Sequence, residues 1–419
     1  MIRNVIKKVL SSPSFSSLAA FAGSNILIAI ITGVTGLIQA RWLSPEIFGE
    51  YRKYTILATY LMIGYSFVHD GLIRQYPYLI GKGQIELAHR TAAVAKWWYC
   101  FICRLYVILF VFLSVYAAIN GDWRGAAGWG TQIFNVIVLI YGAYQGVMYR
   151  TSSDFKRLAA NGMISCVVGT VSLLFVRLFG YWGCLLRFCV VSIVSWRMNE
   201  RYLPVKVKGV FSWRELLSLA KISLRFSIPG YLHSSALIAS INSAILLWFG
   251  QGILGLFGIA ITLQGFALTF TNALNQIFNV KVTSYFGKTE DVRATFRYAI
   301  FPTALSVCLS FVFYIVGYFS IEPFIRLVLP EYLDAVPLIR VLLVALVLKA
   351  MSLPLLVINA ALMYWAFLGM AAVQFFSTVC LAYALPRSPV NVATASILGS
   401  AVAMLFGYGC VFLKMYKKR

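Results

Sequence analysis

Long stretches without a charged residue are the feature of this sequence that most constrains its fold. Each is long enough to cross a bilayer, which takes about 20 residues of α-helix. They lie at 9–40, 125–149, 226–280, 298–321, 350–386 and 388–413. The run at 226–280 has 55 residues and must cross twice. Because 61% of the residues are hydrophobic and only 12% are charged, a soluble fold, with about a quarter of its residues charged, is excluded.

The runs predict an all-α integral membrane protein with about twelve transmembrane helices. Only helices or a closed barrel satisfy the backbone in lipid, and the runs are far longer than barrel strands. Turn residues set the cuts: Gly250 and Gly252 divide the longest run, and Pro386 and Pro389 separate the last two spans. The predicted helices lie at 17–40, 53–75, 98–119, 127–148, 159–179, 180–196, 227–249, 252–275, 298–321, 335–357, 361–385 and 389–413.

Basic residues are unevenly distributed between the predicted loops. With the N-terminus inside, the cytoplasmic segments hold 25 Lys and Arg and the outer segments hold seven. Such an excess predicts that both termini are cytoplasmic. The net charge of +23 is then a topology signal that faces anionic membrane lipids, so it does not indicate a nucleic-acid partner.

An internal repeat at an offset of 206 residues divides the chain into two halves. The matched pairs are Trp42/Trp248, Ile47/Ile253, Gly49/Gly255, Gly81/Gly287 and Lys82/Lys288. Six spans per half leave the halves in the same orientation, and such paired halves are a recurring transporter architecture with the substrate held between them. We predict an N-terminal six-helix lobe at 1–205 and a C-terminal six-helix lobe at 206–419.

Arg187 and Lys349 are the strongest candidates for a substrate site. Each lies near the middle of a predicted span, roughly 10–15 Å deep at 1.5 Å per residue. A charge inside a membrane is costly and by default marks a pathway or a site. The alternative for both is that the long side chain extends to an interface. Arg104 is shallower, and for it the interfacial interpretation is preferred.

Other polar residues within the predicted helices are weaker candidates. Asp70 and Arg74 have the favourable acid-then-base i, i+4 spacing and form either a local pair or an inner gate. His233 follows a proline and a glycine, where a loosened helix exposes polar backbone. Asn25, Asn242 and Gln264 bind sugar hydroxyls or hydrogen-bond between helices, the commoner role.

Acidic residues are absent from the predicted span interiors: none of the thirteen lies deep in a helix. A cation exporter needs a buried carboxylate, whereas buried Arg and Lys favour an anionic substrate such as a phosphate or pyrophosphate. The sequence shows no catalytic grouping and no nucleotide-binding loop. It therefore predicts a transport protein rather than an enzyme, without a cofactor or a metal site.

Five segments spread over nearly the whole chain carry a family resemblance: 37–51, 71–77, 212–217, 225–229 and 329–335. In these segments the sequence resembles the polysaccharide transporters of the multidrug/oligosaccharidyl-lipid/polysaccharide exporter superfamily, to which bacterial O-antigen flippases belong. The resemblance implies a MATE-like, V-shaped fold with a cavity between two lobes, lined mainly by the first, second, seventh and eighth helices. Arg187 and Lys349 lie outside that set, and the turn near 358–361 lacks the basic residues usual there.

The resemblance implies a bacterial inner-membrane flippase that moves an undecaprenyl-pyrophosphate-linked oligosaccharide by alternating access. In lipopolysaccharide and O-antigen biosynthesis, glycosyltransferases and a polysaccharide polymerase are the expected partners. Two alternatives stay open. One is a MATE-like exporter of small molecules, and the other is a membrane-embedded polysaccharide polymerase or ligase, which should carry a sizeable outer loop.

Overall fold

The structure is a computed structural model that describes residues 13–152 and 154–416. The side chains at 13–22, 25, 270, 273–277, 279–281, 283 and 284 lie outside the description. Within the described ranges the chain is almost entirely helical, with short turns and no β-strand. The all-α fold class predicted from the apolar runs is confirmed.

The α-helices of the described ranges are numbered in chain order. They are α1 (Pro13–Arg41), α2 (Pro45–Leu61), α3 (Ile63–Gly81), α4 (Ile85–Ile119), α5 (Trp123–Val136), α6 (Gly142–Thr151), α7 (Phe155–Val171), α8 (Leu173–Arg201), α9 (Trp213–Tyr231), α10 (Leu237–Thr289), α11 (Val292–Val328), α12 (Val336–Met351), α13 (Leu356–Ala360), α14 (Tyr364–Ala384) and α15 (Pro389–Tyr416). π-Helical turns occupy Ile137–Tyr141 and Leu232–Ala236, and 3-10 turns occupy Pro330–Ala335 and Leu353–Leu355.

Several spans begin earlier than predicted because charged residues are part of them, as the second and third spans show. The second span, predicted at 53–75, begins at Pro45 and continues through α2 and α3, which are bent by 54°. Proline fits the first helical position because the N–H that it lacks has no partner there in any helix. The third span, predicted at 98–119, begins at Ile85. The prediction began each span after its charged residues, whereas both helices include charged residues in their first turns.

Two glycines divide long helices where the sequence places span boundaries. Gly180 in α8 has φ 54° and Gly250 in α10 has φ 82°. Side chains other than glycine avoid this left-handed region, so glycine allows the helix axis to break there. The predicted division of the 55-residue run at Gly250 is confirmed.

Seven helices of the described ranges are long and apolar enough to cross a membrane, and up to nine if each bent pair counts as one span. One of the seven, Trp213–Thr269, contains the break at Gly250 and covers two predicted spans. The shorter helices Ile26–Arg41 and α7 coincide with the two remaining predicted spans, the first and the fifth. These helices are consistent with twelve spans, and the chain is a multi-pass membrane protein.

The chain forms two compact units. Unit 1 comprises the described chain up to Gln39 together with Leu61–Ser227, and unit 2 comprises Ala40–Tyr60 together with the chain from Ile228 onward. One unit boundary therefore falls at the bend between α2 and α3. The first part of the second span, α2, packs within unit 2, although the repeat assigns it to the N-terminal half. The lobe boundary at 205/206 stays a prediction.

The orientation of the chain in the membrane is the first testable prediction. We expect reporter fusions at residue 210, in the basic segment between α8 and α9, to report a cytoplasmic location. Fusions at residue 122, in the turn before α5, should report the opposite side, because the basic residues cluster on the same side as residue 210. The reverse pattern at either position would contradict the assignment of both termini to the cytoplasm.

Candidate anion-binding cavities

A cavity of about 280 Å³ lies within unit 2 and contains one of the two predicted deep cations. Lys349 and His233 are its only titratable lining residues in the described ranges. The polar remainder of the lining is Ser352, Asn359, Gln374 and Ser400. The other lining residues are apolar: Leu268, Ala345, Leu348, Leu355, Leu356, Ile358, Phe367, Met370, Ala403 and Met404. The structure thus brings together Lys349 and His233, which lie on different predicted spans.

A helix break places Lys349 at this cavity. Helix α12 ends at Met351, and the following segment turns away by 49°. Pro354 explains the break, because proline has no N–H to continue the helix and disfavours helical geometry in the preceding residue. The hydroxyl of Ser352 donates to the Lys349 carbonyl at 2.8 Å, which satisfies one backbone group at the end of the helix. Lys349 therefore lies in the last turn before the break.

A second irregular segment positions His233. It lies in the π-helical turn Leu232–Ala236, shortly after Pro229 inside α9. Proline withholds one backbone hydrogen bond of the helix, and π-turns widen a helix locally and often occur at functional sites. The loosening predicted around His233 is confirmed by this turn.

Two polar atoms in the unit 2 cavity have no protein partner among the described residues within hydrogen-bond distance. They are His233 Nδ1 and Gln374 Oε1, which are buried without a hydrogen bond within 3.5 Å in the described part of the chain. The Gln374 amide nitrogen donates to Ser400 Oγ at 2.9 Å. Lys349 forms no ion pair within 4.0 Å among the described residues, and no acidic residue lines the cavity. Its charge therefore has no protein counter-charge at hand.

The other deep cation, Arg187, lines a separate cavity of about 300 Å³ within unit 1. Its Nε donates to the Gly169 carbonyl at 2.9 Å, and a terminal nitrogen donates to Gln39 Oε1. Gln39 in turn donates to Cys184 Sγ at 2.6 Å. The cavity is further lined by Thr32, Thr35, Ser165, Ser195 and Asn199 among apolar residues. Uncharged acceptors thus hold this guanidinium in a hydroxyl-rich cavity.

Arg74 and Asp70 do not form the local pair that their spacing allows. The Arg74 guanidinium carbon lies 3.4 Å from the ring centroid of Phe226, and the Arg74 side chain is exposed. Asp70 accepts a hydrogen bond from the Ser227 hydroxyl at 2.6 Å. No ion pair joins the two in the described ranges. The alternative of a local structural pair is therefore wrong, and the gate interpretation stays a prediction.

The remaining predicted residues are dispersed. Arg104 is exposed and borders a cavity of about 350 Å³ with Lys96, as expected for an interfacial cation. Gln264 donates to the Leu342 carbonyl at 3.1 Å, a bond between helices of unit 2. Asn242 is buried, and its carbonyl oxygen has no partner within the described chain. The side chain of Asn25 lies outside the description.

The sequence missed two acidic residues that the fold encloses. Glu50 in α2 is only 8% exposed. Glu200, predicted beyond the sixth span, lies within α8 and accepts hydrogen bonds from Tyr141 at 3.0 Å and Gln145 at 2.9 Å. The expectation that buried charge is entirely positive is therefore wrong. Pro45 was the sequence signal for Glu50, because proline favours the first position of a helix. A second span predicted to begin at Pro45 would have included Glu50.

Two helical units, breaks within the spans and cavities that contain polar groups describe a multi-helix membrane fold. Similar solved structures include an inward-facing MATE family multidrug resistance transporter of the MOP superfamily, with 14% identity, TM-score 0.64, and coverage of 94% of this chain and 98% of that one. An outward-facing MATE transporter has 14% identity, TM-score 0.63 and 98% coverage of both chains. Lipid II flippase MurJ, inward closed, has 12% identity, TM-score 0.68, and coverage of 94% and 87%.

No protein-family model matches the sequence, and no curated protein does. The structural likeness extends over nearly the whole chain at low sequence identity, so it shows the fold. The MATE-like fold predicted from the sequence is therefore confirmed, whereas membership of the superfamily and of the O-antigen flippases stays a prediction.

Proposed function

We propose that the protein is a flippase that moves an undecaprenyl-pyrophosphate-linked oligosaccharide across the bacterial inner membrane by alternating access. The observation that carries the proposal is the fold, which 94% of the chain shares with a structure described as a lipid II flippase. The basic residues favour an anionic cargo, because Arg and Lys are the natural partners of phosphate. A polymerase and glycosyltransferases remain the partners that we propose.

Arg74 is the cation best placed to meet an anionic headgroup. Its side chain is exposed and stacks on Phe226. Stacking orients the planar guanidinium and leaves its N–H edge available for two phosphate oxygens at once. The Asp70 carboxylate is engaged by Ser227, so it does not neutralise Arg74 by direct contact. We infer that Arg74 binds the pyrophosphate on arrival.

Short connections support a transporter over a membrane-embedded polymerase or ligase. The longest connection between helices in the described ranges is 202–212. A catalytic outer loop would need to be much longer than this segment, which is rich in basic residues and belongs to the predicted cytoplasmic side. The connections of the described chain therefore favour translocation without chemistry.

Neutralising Arg74 tests the proposal. We expect Arg74→Gln to lower transport about tenfold, since hydrogen bonds to a charged group contribute about 1.5–3 kcal/mol. Arg74→Lys should restore only part of the activity, because an ammonium cannot form the bidentate contact. The measurement is surface-polysaccharide display in a flippase-deficient strain, normalised to membrane abundance by immunoblot.

Lys82→Gln is the matched control. Lys82 is an exposed cation that follows α3, and its ammonium lies 4.5 Å from the ring centroid of Tyr78. Its substitution removes one charge and one cation–aromatic contact from the same region. Full display with Lys82→Gln and reduced display with Arg74→Gln supports the proposal, whereas full display with both variants overturns it.

Burial of Glu50 favours a second candidate function, the export of small cationic molecules. The argument against a cation exporter rested on the absence of a buried carboxylate, and Glu50 removes that argument. The Arg74 variants also separate the two functions. Loss of a positive charge should leave export of a cationic dye unchanged or raise it, because repulsion of the dye is reduced, while it lowers transport of an anionic lipid-linked substrate.

A further inference from the structure

The unit 2 cavity encloses a cation without a protein counter-charge. Moving an ammonium out of water costs several kcal/mol, which an ion pair or hydrogen bonds must offset. Lys349 has no carboxylate within 4.0 Å in the described chain. The cavity it lines has no acidic residue. An anion from outside the chain would supply the missing counter-charge.

The neighbouring polar atoms fit a ligand with a hydration shell. His233 Nδ1 and Gln374 Oε1 are both buried without a hydrogen bond within 3.5 Å in the described chain, although the two side chains lie close enough to interact with each other. Such groups are normally satisfied by protein or by ordered water. One neutral ring nitrogen of a histidine donates and the other accepts, so His233 can donate to an anion while Gln374 accepts from a bridging water.

The dimensions of the cavity exclude the proposed flippase substrate. Its volume of about 280 Å³ lies below the roughly 300–1,000 Å³ of pockets for drug-sized ligands. An oligosaccharide on a pyrophosphate is larger than such a ligand, whereas a hydrated inorganic ion is much smaller. All lining residues belong to unit 2, so the cavity does not require unit 1 to be complete.

Irregular backbone borders the cavity on two sides. Lys349 precedes the 49° break after α12, and His233 lies in the π-turn Leu232–Ala236. Discontinuous helices in transporters supply backbone groups to ion sites. Two independent distortions at one cavity are expensive unless the cavity is used.

We propose that the unit 2 cavity is a binding site for a small inorganic anion, a halide or phosphate, held between Lys349 and His233. The site is separate from the site of the proposed flippase substrate and goes beyond that function. The anion neutralises Lys349 inside unit 2 and stabilises the helix break around it.

Anion-dependent thermal unfolding of the full chain in lipid nanodiscs tests the proposal. Sodium bromide or sodium phosphate replaces sodium gluconate at constant ionic strength, which keeps general screening unchanged. We expect the melting temperature to rise saturably with one of the two anions, because a ligand that binds only the folded state stabilises it. Lys349→Gln should raise the half-saturating concentration at least tenfold.

Arg340→Gln is the matched control, because Arg340 lies on the same helix and already pairs with Glu322 at 3.0 Å. It should change the half-saturating concentration less than twofold. Arg74→Gln, in unit 1, should also change the half-saturating concentration less than twofold. The anion test and the test of the flippase function can therefore fail independently. Absence of a saturable effect with both anions, or equal values for Lys349→Gln and the wild type, overturns the proposal.

Anomalous diffraction from bromide-soaked wild-type crystals decides the question should Lys349→Gln fail to fold. A peak beside the Lys349 ammonium supports the site when bromide gave the saturable effect. With phosphate as the stabilising anion, tetrahedral density at the same position replaces it. Density for neither anion in the cavity overturns the proposal.

Discussion

Gly255→Ala is expected to destabilise the protein by about 3 kcal/mol, at the upper end of the range for overpacked sites. Helices α2 and α10 cross closely in unit 2. A Cβ atom at Gly255 would collide with the Pro45 carbonyl, and one at Gly49 would collide with the Gln251 carbonyl. Backbone atoms cannot rotate away as a side chain can. The two helices must therefore separate and lose van der Waals contact, the main source of helix association in a membrane.

Gly265→Ala is the control in the same helix. Nothing lies within 4 Å of a Cβ atom at this position. The substitution should change stability by less than about 1 kcal/mol, in the stabilising direction, because alanine has the higher helix propensity. Denaturant unfolding in detergent micelles and membrane abundance measure both variants. Equal stability of Gly255→Ala and Gly265→Ala would show that the helices do not cross as closely as the structure has them.

The same glycines show what the sequence revealed and what it did not. Gly49 and Gly255 stood out as matched residues of the 206-residue repeat, and that match says nothing about contact. In the structure they face each other, and Arg52 donates to the Gly258 carbonyl, again 206 residues away, at 3.4 Å. A repeat places equivalent residues on equivalent helices. Only the packing shows that these two helices meet at those residues.

The fold class was predictable from the length of the apolar runs. A chain that crosses lipid must form helices or a closed barrel, and runs of this length fit only helices. Helix starts were not predictable, since Pro45 and Ile85 begin helices whose first turns carry charge. The length of an apolar run identifies only the part of a helix that lies in the hydrocarbon of the membrane. Charged turns that extend the same helix beyond the hydrocarbon are not part of the run, so the run does not show where the helix begins. The break at Gly250 was predictable because a helix break in the left-handed region requires glycine, whereas Gly180 was not singled out from the sequence.

The candidate site was predictable only in part. Sequence depth identified Arg187 and Lys349, and both line polar cavities. It did not show that the cavities belong to different units, because hydropathy gives the depth of a residue but not the direction that its side chain faces. Nor did it show that Gln39, 148 residues from Arg187, would be its acceptor. Such a pairing depends on which helices pack together.

A double-mutant cycle on Gln39 and Arg187 is expected to give a coupling free energy of about 2 kcal/mol, within the usual range for contacting polar residues. Gln39→Leu removes the acceptor of a charged donor and should cost about 1.5 kcal/mol of stability. Arg187→Met leaves the Gln39 oxygen without its donor at a position only 4% exposed, and it should cost a similar amount. The double variant should cost only about 1 kcal/mol, because neither partner of the Gln39–Arg187 bond is then left unsatisfied. This residual cost reflects the lost bonds from Arg187 to the Gly169 carbonyl and from Gln39 to Cys184.

Transport by the double variant decides between the two interpretations of Arg187. If the guanidinium binds the substrate's phosphates, the double variant should recover stability and yet show reduced polysaccharide display. If it only secures packing within unit 1, stability and display should recover together. Denaturant unfolding gives the coupling, and the complementation assay gives the display. Strict additivity of the two single substitutions would contradict the bond between Gln39 and Arg187, since residues that do not interact have independent effects on stability.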